Sequence, residues 1–156
     1  GEVPFLLAIT LGVIAAWASV MTLKLFTDAN LRIGRSQLKF HGDYKLGSIG
    51  WIFAVSVAFG LIAHSGWIRW HEHHGQQAWA AVQKGDYAQI EPMTEHLYIV
   101  IDHGLWRPPY ADRMLADLWV GIGNHTKAIP HLERLVEIWP DNEIRKMQLL
   151  NANNAK

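Results

Sequence analysis

The chain contains no cysteine. That excludes disulfides, thiolate metal sites, iron–sulfur clusters and covalent haem attachment through a Cys-x-x-Cys-His motif. It has no charge surplus either: 14 basic residues face 14 acidic ones, so no nucleic-acid partner is expected. Phosphate-binding glycine loops, dinucleotide fingerprints and nucleophile elbows are missing too. The carboxylates Asp86, Asp102, Asp112, Asp117, Glu133 and Glu137 are scattered, with no pair at a spacing that fixes an acid and a base. The expectation is a protein that is not an enzyme, with no catalytic residue.

Charge is also absent locally, in two runs. Val3–Leu23 is uncharged for 21 residues, and Leu46–Ile68 for 23 with only His64 near its end. At 1.5 Å per helical residue, each reaches about 30–35 Å, the depth of a bilayer's hydrocarbon core. Val3–Leu23 is longer than a signal-peptide core and has no basic segment before it, so a retained helix is expected. The segment between the runs carries Lys24, Arg32, Arg35, Lys39 and Lys45 against Asp28 and Asp43. Basic short loops stay in the cytoplasm. Both termini and everything after Arg69 are therefore expected on the periplasmic side of a bacterial inner membrane.

Trp51 lies near the start of the second run, and Trp67 and Trp70 at its end. These are membrane-interface positions, where an indole keeps its ring among headgroups and its N–H wet. Gly12, Gly50 and Gly60, with nearby alanines, offer small faces to each other or to a partner's helices.

Beyond Arg69 the pattern becomes amphipathic and helical. Helices are expected over Trp70–Lys84, Tyr87–Asp102, Tyr110–Ile122, Thr126–Trp139 and Glu143–Leu150. The first is a direct continuation of the second run or a separate element. Gly85-Asp86, His103-Gly104, Leu105–Pro109, Gly123-Asn124 and Pro140–Asn142 punctuate them. The fold class is thus all-α: a transmembrane hairpin (helices about 3–25 and 46–69, basic loop 24–45), a helical domain over 70–150, and a frayed tail at 151–156.

Pro109–Asn142 resembles one 34-residue tetratricopeptide repeat. Ala116 and Ala128 fall on its small positions, Trp119 on its aromatic position, Gly123 on its turn, Leu132 on its large apolar position and Pro140 on its close. Asp112 and Leu135 depart from the pattern. Ala78, Gly85-Asp86-Tyr87 and Leu97 resemble a second, looser copy, with the insertion His103–Pro108 between the two. The resemblance implies a protein-binding scaffold, and two stacked repeats fall short of the usual minimum of about three. The layout of membrane helices, basic loop and repeat domain also resembles the CcmI family of cytochrome c maturation proteins. That layout implies a membrane-tethered assembly factor as the alternative role.

The favoured function is an accessory subunit of a multi-subunit membrane complex, in contact with the lipid bilayer and with integral and extrinsic subunits. Trp106, Arg107, Tyr110 and Trp119 are its candidate partner-binding residues, because these residue types dominate interface energy. Histidine suggests a further alternative. His71 and His74 share a helical face, His73 lies between them, and His64 sits two turns earlier. Neutral imidazoles so spaced can hold a metal ion. The stretch Gly60–His64 with Trp70 is similar to light-harvesting β helices, which implies bacteriochlorophyll or haem at His64. The expected cofactor state is none.

Overall fold

A computed structural model describes residues 2–155; the side chains of residues 2–9 and 11 are outside that description. The chain is mostly helical. Helix α1 spans Glu2–Thr27, three short strands follow (β1, Leu31–Ile33; β2, Ser36–Phe40; β3, Asp43–Tyr44), and α2 runs unbroken from Leu46 to Gln83. A 3₁₀ turn at Tyr87–Gln89 leads into α3 (Ile90–His103), α4 (Pro109–Gly121), α5 (His125–Ile138) and α6 (Glu143–Asn154). Two compact units divide the chain at residues 64 and 65, and α2 contributes to both.

In residues 1–64 the segment expected to be a loop is a three-stranded antiparallel sheet in the order β1-β2-β3. Two tight turns make it. Gly34 has a positive φ between Ile33 and Ser36, which pair. His41 and Gly42 both have positive φ between Phe40 and Asp43. Positive φ at the first central residue, or at both, gives a two-residue hairpin whose twist matches its strands. Leu31 and Leu38 turn inward from the sheet and meet Leu25 of α1, with Met21, Ile33 and Trp51 around them. Trp51 donates its indole N–H to Thr22 Oγ1 (3.2 Å) and stands edge-on to Trp17. Lys39 is buried, and its ammonium donates to the carbonyls of Leu25 (3.1 Å) and Phe26 (3.4 Å). Those carbonyls have no intrahelical partner at a helix C-terminus, and a cation there also complements the helix dipole.

Among the described residues one helix, α2, is long and apolar enough to cross a membrane, and its most apolar stretch is almost wholly unburied within the protein. In α1 the described apolar stretch is Gly12–Thr27, short of a span; the rest of the expected first span, residues 3–9 and 11, lies outside the described side chains. The expected faces of small residues do not close on each other. No described neighbouring atom comes within 4 Å of a Cβ placed on Gly12, Gly50 or Gly60.

Residues 65–156 form one helical core. Ala78 and Val82 from α2, Met93 and Leu97 from α3, Ala111, Leu115, Ala116, Leu118 and Trp119 from α4, Ala128, Leu132 and Leu135 from α5, and Ala152 from α6 make it up. Each large aliphatic side chain so buried contributes about 1.5–3 kcal/mol. The α2–α3 turn and the α4–α5 turn each use a glycine of positive φ, Gly85 and Gly123, a backbone state other residues adopt at a cost. Pro109 is the first residue of α4 rather than the last of the loop, because a proline's missing N–H loses nothing there. The tail corrects the expectation of fraying: α6 continues to Asn154 and buries Ala152.

Candidate functional site

Two clusters of polar and aromatic side chains lie in residues 65–156. The first sits where α2 passes the end of its apolar run. α3 lies antiparallel against this part of α2. His71 meets His96, with Nδ1 to Nδ1 at 2.8 Å, and Trp67 meets His103, with ring centroids 5.7 Å apart. Gly75 permits the approach: a Cβ on it would stand 3.0 Å from Leu97 Cδ2. Trp70 closes the group, edge-on to His71 (4.8 Å) and His96 (5.5 Å) and tilted over His74 (4.2 Å).

His71 is buried. Burial first, and the nearby His96 second, lower its basicity, while Glu95 opposes and His74 adds to the effect. A short Nδ1–Nδ1 contact needs one ring to donate and the other to accept, so the pair as built holds one proton between the two facing nitrogens. The other candidate imidazoles are committed elsewhere. His74 Nδ1 lies 2.8 Å from the Trp70 carbonyl, and His73 Nε2 lies 2.8 Å from the Gln77 amide nitrogen. No group of three or more metal-capable side chains converges among the described residues. His64 falls in the other compact unit.

The second cluster is a hydrogen-bond network around a buried carboxylate. Asp112 on α4 is fully buried. It accepts from Arg107 Nε (2.9 Å) and Nη2, and its Oδ1 lies 2.9 Å from His131 Nδ1 on α5. The Tyr98 hydroxyl of α3 lies 3.4 Å from the other nitrogen of His131. Burial works against the Asp112 carboxylate, but the hydrogen bonds and charges of His131 and Arg107 prevail and hold it below the usual aspartate range. The hydrogen bond to Asp112 in turn raises the Arg107 guanidinium. The network ties the α3–α4 loop to two helices.

The four candidate partner contacts separate. Trp106 is 81% exposed at the tip of the loop. Arg107 is exposed, with its guanidinium tied to the buried Asp112. Tyr110 packs on the core, and burial, then the Glu72 carboxylate, push its hydroxyl well above the usual tyrosine range. Trp119 is a core residue, with the Lys127 ammonium 4.4 Å from its ring centroid. Of the interface tryptophans, Trp67 and Trp70 are partly exposed beside His71.

A third feature carried no sequence motif. Ile144, Met147 and Leu150 of α6 recur at helical spacing and are all exposed, with Trp139 before them. Trp139 and Ile144 line a groove of about 410 Å³ with Arg113, Leu135, Asn142 and Arg145. Arg113 and Arg145 share a single carboxylate there, Asp117. The i, i+3, i+6 spacing lies in the sequence, but which face of α6 takes the core and which meets solvent is set by the tertiary fold. The chain matches no protein-family model, no curated protein and no solved structure.

Proposed function

We propose that this protein is a non-catalytic accessory subunit of a multi-subunit membrane complex, docking through its membrane helices and through tetratricopeptide-like helical hairpins. The observation that carries the reading is the outer face of α6. That face presents Ile144, Met147 and Leu150 to solvent. An exposed apolar stripe of this kind is the mark of an interaction surface. The open faces at Gly50 and Gly60 of α2 support the same reading, since they accept a neighbouring helix at close range. The paired turns at Gly85 and Gly123 support the repeat-like reading of the two hairpins. The basic segment Lys24–Lys45 favours a cytoplasmic position for the small sheet and a periplasmic one for the helical domain.

The test is extraction of the native membrane in mild detergent, followed by size analysis and identification of copurifying chains. The expected result is a stoichiometric complex that loses the protein when Met147 and Leu150 are both replaced by Ser. Migration as a lone monomer overturns the proposal, and substoichiometric capture of a maturing client supports the assembly-factor alternative instead.

A further inference from the structure

Leu105 and Trp106 are the two most exposed large apolar residues described in 65–156, at 73% and 81%. Their place in the fold gives that exposure a meaning. α2 leaves its apolar run at Ile68. α3 travels back along α2: Gln89 and Pro92 lie beside Ala78 and Ala81 in one groove, His96 is on His71, and His103 is on Trp67. α3 therefore ends at the level where the apolar run ends. α4 starts again at Pro109, and Tyr110 in its first turn is already beside Glu72. Glu72 lies one helical turn past Ile68 on the polar side. The connection Gly104–Pro108 thus follows a helix end that is level with Trp67 and Ile68, the last residues of the apolar run.

We propose that this loop is a second membrane contact, with Leu105 and Trp106 seated at the headgroup–acyl boundary that α2 crosses at Trp67 and Ile68. The proposal rests on the reading of α2 as a membrane span. The occupant is lipid because the loop shares its level with Trp67 and Trp70, and an indole with an adjacent aliphatic side chain suits that layer. The loop is held in this position from behind. Arg107 is tied to the buried Asp112, and Gly104 turns so tightly that a Cβ there would stand 2.5 Å from the Val100 carbonyl oxygen.

The absence of cysteine makes the test direct, since one introduced Cys takes one nitroxide label. The full chain is reconstituted in phosphatidylcholine–phosphatidylglycerol vesicles with a label at Trp106→Cys, Leu105→Cys, Ile122→Cys or Val57→Cys. Relaxation by oxygen and by a water-soluble nickel chelate reads depth. The expected result is oxygen-favoured relaxation at 105 and 106, nickel-favoured relaxation at 122, and the deepest signal at 57. Position 122 lies at the far end of α4, about 20 Å away along the helix. Labels at 105 and 106 that match 122 overturn the proposal and leave the span intact. Labels there shielded from both agents show a protein cover and also overturn it. A nickel-accessible label at 57 removes the span itself, and the loop contact with it. Two labelled loop positions guard against one variant that folds poorly.

Discussion

His71 and His96 face each other Nδ1 to Nδ1 at 2.8 Å across the α2–α3 contact. Only one facing proton fits between two such nitrogens, so protonation of both turns an attraction into a repulsion. Glu95 is the nearby carboxylate that tempers this, and His74 the nearby imidazole that adds to it. Because the folded His71 is less basic than the free residue, the unfolded chain binds more protons on passing below pH about 6.5. Stability contributed by the pair is present above that pH and declines as pH falls through the range. Denaturant unfolding at pH 7.5 and 5.5 should differ by about 1 kcal/mol, the size of one hydrogen bond. A His96→Gln variant should show a smaller difference; an unchanged one would detach the effect from the pair.

Asp112 is a residue whose loss should hurt. An Asp112→Ala change leaves His131 buried without its partner and releases Arg107 from the loop. Leaving a buried polar group such as the His131 ring nitrogen without its partner costs about 1–3 kcal/mol. Asp112→Asn keeps the volume and one acceptor, so it should cost less. Thermal unfolding of both variants beside the parent tests the order. In acid the same network weakens: Asp112 is held below the usual aspartate range, so its contribution is full above pH about 4 and fades below it.

Gly75 sets the distance between α2 and α3. Valine there would drive its side chain into Leu97, which is fully buried. Overpacking of this kind costs about 1–3 kcal/mol. The near-ultraviolet dichroism of the tryptophans around His71 should change with it. A Gly75→Val protein with parental stability and an unchanged aromatic signal would show that the helices are not in close contact.

Lys39 should act as a cap rather than as a free surface charge. Lys39→Met keeps most of the stem and removes the donor to the Leu25 and Phe26 carbonyls. The expected loss is about 1–3 kcal/mol, the value of a hydrogen bond from a charged donor. Hydrogen exchange at the last turn of α1 is the sensitive measurement, and faster exchange confined to that turn is the expected outcome.

The sequence pattern, with its 23-residue uncharged run and helical spacing after Arg69, determined a mostly helical protein with a long apolar helix, and the glycines at 85 and 123 marked its turns. Those features are local: periodicity and turn chemistry act over a few residues and need no partner. The small sheet was missed because its strands are two to five residues long and rich in charge, so that its cue was only the turn pairs Gly34-Arg35 and His41-Gly42. Tertiary structure alone decided the rest. It paired His71 with a histidine 25 positions away rather than with its neighbours, and buried Asp112 against a loop arginine and a histidine of the next helix. It put Trp119 in the core and left Trp106 outside. The hydrogen-bond partners of a buried group, and the side of a helix that water reaches, depend on what the rest of the chain brings alongside, and no window of sequence contains that.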